Sequence, residues 1–278
     1  MSLPILKSAV SASNSDLVRF AHQIEVEWSR HLSTETQLDC GTAMVNAELK
    51  TVNDANRILD AAISPGTDAG AAFEEGERHF AAAGAVCHRW LLNPSLPADR
   101  TQPLADYLLG RGYKRFAGDI LHLPRLPQHP VLMAGDLKII PARASFRHYR
   151  ALAEEDAARW NAPELADAAM LHLDDPRYEA MIALKDGRGA GVVGVQIIGE
   201  MGGIQEVFVS EDFRRQGIGR TLMARALEIC VRSLLRHILL WVDPENTPAR
   251  ALYHSLEFEK IGDLVMYLRP GTVNYPRP

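Results

Sequence analysis

The stretch VFVSEDFRRQGIG, residues 207–219, joins a strand-like segment to a helix-like one. The strand-like run EVFVS occupies 206–210, and the helix-like run RTLMARALEICVRSLL follows at 220–235. The first turn of a helix has amide N–H groups without partners, and the helix dipole adds partial positive charge there. Glycines at 217 and 219 remove side chains that would hold a ligand away from the backbone. The junction therefore predicts an anion site suited to a phosphate or pyrophosphate.

Several classes of phosphate loop are possible at such a junction, and the spacing separates them. A Walker loop needs GxxxxGK followed by Ser or Thr, and no such lysine is present here. A dinucleotide fingerprint needs GxGxxG near the first strand of its unit, whereas Leu222 occupies the last position and the motif comes late in the chain. The alternative without a ligand is a glycine-rich turn with solvated arginines. The order of strand, arginines, glycines and helix favours the anion site.

The same residues resemble the R/Q-x-x-G-x-G/A motif of the GNAT acetyltransferases, with Arg214, Gly217 and Gly219 at the defining positions. Downstream, LWVDPENTPARALYHSLEFEKIG at 240–262 resembles the second signature of that family: strand, Asn, helix, Tyr, then an aromatic-to-glycine close. The likeness covers about half of the chain, and motif and context agree.

The resemblance implies an enzyme that moves an acetyl group from acetyl-CoA to an amine. It implies that backbone amides cradle the CoA pyrophosphate at a loop and helix start formed by Arg214, Arg215, Gln216, Gly217, Ile218, Gly219 and Arg220. The pantetheine arm would pair like an added strand with the backbone of Val207, Phe208 and Val209, and would contact Asn246. An amide near Val209 would meet the thioester oxygen, as in an oxyanion hole.

The acid and the base of such a reaction are predicted less directly. Tyr253 matches the family's proton donor to the departing thiolate, although it also lies on an apolar helical face and could be core filler. The base candidate is Glu206, which alternates with Val207 and Val209 and should face the other side of the sheet. Weaker candidates are His172, Glu200 and His254.

The second half of the chain reads as an α+β domain with many adjacent strands, which favours a mixed sheet. Strands are expected at 136–142, 178–187, 189–200, 203–210, 237–243 and 263–269. Helices are expected at 145–160, 162–172, 217–235 and 247–258, the last with Thr247 as N-cap. This order resembles the GNAT fold.

The first half contains a faint copy of this layout. Residues 87–125 and 237–270 both run strand, proline turn, short helix, Gly-Asp and apolar strand. No RxxGxG motif precedes the copy; Asp68 and an acidic helix stand there instead, and Tyr107 is about one place out of register with Tyr253. The prediction is two GNAT-like domains, each with a mixed, mostly antiparallel sheet flanked by helices: a degenerate one at 1–133 without a CoA loop and a catalytic one at 134–278. An unrelated α/β cap is the alternative for the first half.

Composition limits the partners of the protein. A net charge of −5 lacks the basic excess of a nucleic-acid binder, and no apolar run approaches the ~20 residues of a membrane span. Three scattered cysteines show no zinc or disulfide spacing, so no metal is expected and a cytoplasmic location fits best. The proline-rich segment 122–136 predicts a linker, with the domain boundary near residue 133.

The sequence as a whole predicts an acetyl-CoA-dependent N-acetyltransferase that works by direct attack in a ternary complex. The acceptor would be a small-molecule or peptide amine, and homodimers are possible because GNAT proteins commonly pair. The alternative is an acyl-CoA-binding regulatory or scaffold protein without catalytic activity. The identity of the amine is not encoded in any motif of this chain.

Overall fold

The computed structural model describes residues 12–125 and 137–272. The predicted boundary near residue 133 lies outside the described residues. In the first half the elements are α1 Asn14–Leu32, β1 Thr34–Leu38, β2 Gly41–Val45, β3 Arg57–Ala61, α2 Ala69–Ala82, β4 Arg89–Leu92, α3 Ala98–Gly110 and β5 Lys114–Leu123. In the second half they are β6 Lys138–Pro141, α4 Phe146–Arg159, α5 Glu164–His172, β7 Tyr178–Lys185, β8 Arg188–Ile198, β9 Met201–Val209, α6 Ile218–Arg232, β10 His237–Val242, α7 Thr247–His254 and β11 Glu259–Leu268.

All of these strands form one mixed sheet of eleven strands, in the order β1-β2-β3-β4-β11-β5-β10-β9-β8-β7-β6. In the described part of the chain only β3 with β4, and β9 with β10, run parallel; the other neighbours are antiparallel. The predicted α+β class with mixed, mostly antiparallel sheets and flanking helices is confirmed. The two predicted sheets are continuous with each other.

The two halves exchange their last strands. β11, from the second half, lies between β4 and β5 and pairs with both. β5, from the first half, pairs in turn with β10, where Val242 faces Asp119. The unit β4-α3-β5 thus has the same place in its half as β10-α7-β11 in the other, as the faint sequence copy predicts. Because each half supplies a strand to the other, their backbone hydrogen bonds are shared and neither sheet is complete alone.

Helix α1 of the first half covers the sheet of the second half. Its N-terminus is closed by a capping box between Ser13 and Asp16, and its apolar face is buried. Ile24 packs so closely on β9 that a Cβ at Gly203 would lie 2.5 Å from its side chain. The next residue of β9, Ile204, faces the opposite side and joins the core under α6. Helix α1 thus packs on the sheet by its apolar face.

Candidate functional site

The parallel strands β9 and β10 separate at one end, and this opens a gap in the sheet. They pair only over Met201–Gly203 with His237–Leu239. Beyond these residues β9 remains paired with β8, while β10 pairs with β5. The backbone groups of β9 from 204 to 209 therefore face the gap on one side. An extended ligand can hydrogen-bond to such an edge as an added strand does.

The matching strands of the first half remain together. β3 and β4 pair as far as Ala61 with Leu92, and the amide of Asn93 then donates to the carbonyl of Ala61 at 3.1 Å. The amide of Ile63 donates to the carbonyl of Arg100 at 2.8 Å, which joins the following loop to α3. The end of this strand pair is closed by protein groups, so the first half has no equivalent gap.

A β-bulge interrupts β9 beside its gap. The register with β8 shifts between Val192 and Gly194, and Glu206 has φ +52°. The extra residue changes the alternation, so that Ile204, Val207 and Val209 all contact the core under α6. Glu206 and Phe208 face the opposite side, where Phe208 joins the core formed with α4 and α5. The predicted facing of Glu206 away from Val207 and Val209 agrees with this geometry. A non-glycine residue at positive φ indicates a backbone held by its surroundings.

Two buried tyrosines bind the carboxylate of Glu206. The hydroxyl of Tyr149 on α4 donates to Oε2 at 2.6 Å, and the hydroxyl of Tyr178 on β7 donates to the same oxygen. Burial raises the pKa of Glu206 to about 7, and the negative charge of Asp156 also raises it. The hydrogen bonds from the two tyrosine hydroxyl groups lower this pKa but do not outweigh burial. Among the described residues no hydrogen bond reaches Oε1. The group is therefore a carboxylate that titrates near neutrality with one oxygen held and one available, as a general base requires.

Gly194 makes room for this arrangement. A Cβ built on Gly194 would lie 1.9 Å from the hydroxyl oxygen of Tyr178 and 2.2 Å from its ring. The Gly194→Ala variant is therefore expected to lose about 1–3 kcal/mol of unfolding free energy, because either the buried ring or strand β8 must move. Chemical denaturation measures this loss. A matched control is Gly110→Ala, where a Cβ meets nothing within 4 Å. Equal stability of both variants would contradict the close packing.

The loop that joins β9 to α6 presents backbone and positive charge to solvent. Gly217 is the N-cap of α6 with φ +79°, a conformation that glycine adopts without steric cost. No side chain caps the helix, and a Cβ at Gly217 would meet nothing within 4 Å. The amides of Ile218, Gly219 and Arg220 form the open first turn, since the first helical bond runs from Thr221 to the carbonyl of Gly217.

The side chains of the loop are exposed, but several of them form hydrogen bonds within the protein. Nε of Arg214 donates to the carbonyl of Val209 at 3.3 Å, and Nζ of Lys185 donates to Gln216 at 2.8 Å. Arg220 donates to the hydroxyl of Ser255 at 2.6 Å, and this hydrogen bond links the start of α6 to the end of α7. A Cβ at Gly219 would lie 3.3 Å from the side chain of Leu252 on α7, so a larger residue there would require that side chain to shift. The predicted anion cradle is thus an open helix start ringed by arginines.

Tyr253 lies on α7 with its ring in the core under α6. It is 6% exposed, and its ring packs near Phe258. Burial raises the pKa of its hydroxyl, which therefore stays protonated at neutral pH. Across the described residues no hydrogen bond to its hydroxyl is found, so the proton is available to a ligand. The sequence left two roles open for Tyr253, core packing and proton donation. A buried ring with an unbonded hydroxyl is compatible with both roles.

Asn246 begins α7. Its Oδ1 accepts a hydrogen bond from the amide of Ala249 at 3.1 Å, so Asn246 and not Thr247 is the N-cap of this helix. The prediction of Thr247 as N-cap is wrong by one residue, because proline at 248 takes the second helical position instead of the first. With Oδ1 engaged, the amide nitrogen of Asn246 is the atom left for a ligand.

The weaker base candidates lie in other surroundings. His172 is buried and stacks on Trp28, with ring centroids 3.3 Å apart, and burial lowers its pKa to about 3. Glu200 pairs with Arg236 in the turn before β9, and His254 is exposed at the end of α7. Tyr149 and Tyr178 were not found by sequence reasoning. Both look like ordinary apolar positions of a helix and a strand, and only the fold brings them to Glu206.

In the described part of the chain no group of three His, Cys, Asp or Glu side chains is placed to hold a metal ion. No helix within residues 12–125 and 137–272 is long and apolar enough to cross a membrane.

Comparison with known proteins agrees with the fold. The family model for the acetyltransferase (GNAT) family matches residues 146–258. A Bacillus subtilis protein named "Putative ribosomal protein bS18-alanine N-acetyltransferase" is 30% identical over 110 residues, which are 39% of this chain and 73% of that protein. The chain belongs to the GNAT family of acetyltransferases, enzymes that use acetyl-CoA as cosubstrate.

Two solved structures share the fold over both halves. A GCN5-related N-acetyltransferase from Kribbella flavida matches with a TM-score of 0.61 and 16% identity, over 90% of this chain and 96% of that one. A tandem GNAT protein from the clavulanic acid biosynthesis pathway matches with a TM-score of 0.51 and 18% identity, over 71% of this chain and 67% of that one. The tandem neighbour fits the predicted tandem arrangement of GNAT-like halves.

Proposed function

We propose that the protein is an acetyl-CoA-dependent N-acetyltransferase with one active site, located in the second half of the chain. The observation that carries the proposal is Glu206: a carboxylate with a raised pKa at a bulge beside the gap between β9 and β10. The open start of α6 lies at the end of the same strand. A phosphate-bearing acyl donor and a base for its acceptor would thus have sites on one strand and on the loop that follows it.

The loop and the strand suit the donor. The pyrophosphate of acetyl-CoA would be bound by the open amides from Arg215 to Arg220 and by the charge of Arg214. The pantetheine arm would lie along Val207–Val209, whose backbone faces the gap, and near the amide nitrogen of Asn246. When bound, acetyl-CoA supplies a thioester carbon that an amine can attack.

Glu206 and Tyr253 would move the protons. Oε1 of Glu206 takes one proton from the acceptor ammonium, and the neutral nitrogen attacks the thioester carbon. The C–S bond breaks and the Tyr253 hydroxyl gives its proton to sulfur. A second proton from the attacking nitrogen returns to the Tyr253 phenolate through water, and the proton on Glu206 passes to solvent. The balance is amide, free CoA thiol and one released proton.

The first half would not bind acetyl-CoA. Its strand pair is closed at Ala61 and Leu92, and the helix that follows, α2, is capped by the carboxylate of Asp68. The amide of Ala71 in its first turn is therefore occupied, and an anion would meet the negative charge of Asp68. The proposed division into a degenerate half at 1–133 and a catalytic half at 134–278 rests on these differences. The role of the first half would be to supply β5 and α1 to the second.

The acceptor class would be a peptide or small-molecule amine. The match to a protein named as an alanine N-acetyltransferase favours a peptide α-amine among these. The test is release of free CoA thiol from acetyl-CoA with a panel that includes an N-terminal alanyl peptide, spermidine and an aminoglycoside. Turnover with at least one amine supports the proposal. Binding of acetyl-CoA without turnover on any amine would point to the inactive CoA-binding alternative.

A further prediction concerns Tyr253. Tyr253→Phe keeps the buried ring but removes the proton donor, so kcat is expected to fall by about 10- to 100-fold while the KM for acetyl-CoA changes little. Steady-state kinetics on the responding amine measure both parameters. Tyr267→Phe, another buried tyrosine in β11, is the control for loss of a hydroxyl group. An unchanged kcat in Tyr253→Phe would exclude it as the acid.

A further inference from the structure

Oε2 of Glu206 accepts hydrogen bonds from two tyrosines that come from different elements. Tyr149 lies on α4 and is 1% exposed, and Tyr178 lies on β7 and is fully buried. Hydroxyl groups hidden from water are satisfied only by protein partners. Both point to one carboxylate oxygen, and the hydroxyl of Tyr149 also lies 3.2 Å from the carbonyl of Ala169. The arrangement fixes the carboxylate from two directions.

The tyrosines are in turn held by the fold. The space for the ring of Tyr178 exists because residue 194 is a glycine. Trp28 of α1 packs edge-on against that ring, with centroids 5.2 Å apart. This tryptophan comes from the first half of the chain, so the half without a CoA loop supports the position of the carboxylate in the other. Tyr149 packs in the same core as Phe208 on β9.

We propose that Tyr149 and Tyr178 are positioning residues, which hold Oε2 of Glu206 and leave Oε1 as the atom that receives the proton of the acceptor amine. This inference rests on the proposed function, in which Glu206 is the base. A carboxylate has two oxygens, and a base needs one of them free and aimed. A side chain at a bulge would otherwise have several rotamers, and two donors on one oxygen select one of them.

The tyrosines also counteract burial. A hydroxyl that donates to a carboxylate stabilises its charged form, whereas removal from water favours the neutral form. The other charged groups near this cluster are few. Asp156 on α4 raises the pKa of Glu206. Arg159 lies over the ring of Phe208, and the charge of Arg143 lowers the pKa of Tyr149. His172 beside Tyr178 is neutral above a pKa of about 3. The two hydroxyl groups are therefore the groups that keep the base ionised near neutral pH.

The test is a direct titration of Glu206 in the resting protein. Carbon-13 NMR of protein labelled at glutamate Cδ follows the carboxyl group with pH, and Glu206→Gln assigns the resonance. In Tyr149→Phe and Tyr178→Phe the pKa of Glu206 is expected to rise by about one unit each, since one charged hydrogen bond is lost in each case, and by more in the double variant. With an amine that turns over, the acid limb of kcat/KM should move to higher pH by the same amount.

Tyr113→Phe is the matched control. Tyr113 is a buried tyrosine of the first half that packs against Phe73, in a different core from Tyr149 and Tyr178. It should leave the Glu206 titration unchanged. An unchanged titration in both tyrosine variants, or an equal shift in Tyr113→Phe, would overturn the inference. Because the two tyrosines lie in different elements, misfolding of one variant leaves the other as the test. The NMR titration needs no substrate, so its failure is distinguishable from failure of the proposed function, which the turnover of Glu206→Gln decides.

Discussion

Glu206→Gln is expected to lower kcat by about 100- to 10,000-fold, the usual contribution of a general base. The amide has the same shape but accepts no proton at neutral pH. The acid limb of the pH profile should also disappear. In the wild type, activity should rise as pH increases through about 7, because the base works only when ionised. Stopped or continuous detection of free CoA thiol on the responding amine, over pH 5.5 to 9, measures both effects; these limits are roughly two units either side of neutrality.

The control for this experiment is Glu200→Gln. It makes the same change in the exposed turn before β9, where Glu200 pairs with Arg236, and should leave kcat near the wild-type value. An equal loss of activity in both variants, or none in Glu206→Gln, would contradict the assignment of the base.

Stability gives an independent measure of the same carboxyl group. In the unfolded chain Glu206 ionises near its ordinary pKa of 4.5, whereas in the folded protein it stays protonated up to about 7. The folded state therefore binds more protons between these values, and the wild type should lose unfolding free energy as pH rises through this interval. Glu206→Gln removes this dependence. Denaturation of both proteins at several pH values should show their stability difference changing in that interval and constant above it.

Gly217→Glu is expected to weaken acetyl-CoA binding by at least about 100-fold. The substitution places negative charge at the open N-terminus of α6, where the pyrophosphate would bind, and forces a non-glycine residue to φ +79°. A 100-fold loss corresponds to about 2.7 kcal/mol, within the reach of a charge reversal added to backbone strain. Isothermal titration calorimetry with acetyl-CoA measures the affinity directly and needs no acceptor.

Gly84→Glu separates strain from charge at the site. Gly84 also has positive φ, at +70°, and a Cβ there meets nothing within 4 Å, but it follows α2 in the first half. Its stability loss should resemble that of Gly217→Glu while its affinity for acetyl-CoA stays at the wild-type value. Wild-type affinity in Gly217→Glu would remove the loop from the proposed donor site.

The predicted donor side of the site depends on local patterns. The loop 211–219 is built from neighbours in sequence, and its function depends on a helix start, two glycines and their backbone, so its meaning is readable without tertiary structure. The facing of Glu206 was also predictable from strand alternation, even though the bulge that shifts this alternation was not. A bulge depends on the pairing of β9 with β8, and pairing is a long-range property.

The groups around the base could not be predicted in this way. Tyr149, Tyr178 and Trp28 are separated from Glu206 by 28 residues or more, and none belongs to a motif. They reach Glu206 only because the fold places β7 two strands away from β9 and places α4 and α1 over the same face of the sheet. Gly194 is informative for the same reason, since its role is to leave space for a ring from another strand.

The sequence by itself determined the family, the class of the fold and the location of the loop proposed to bind an anion, because these depend on the order of short elements and on residues close together in the chain. Tertiary structure decided the exchange of β5 and β11 between the halves, the closure of the first strand pair and the environment of Glu206. Each of these depends on which strands become neighbours and on what is removed from water. Burial and cross-strand contact are properties of the folded chain, and it is burial that turns an ordinary glutamate of β9 into a candidate base.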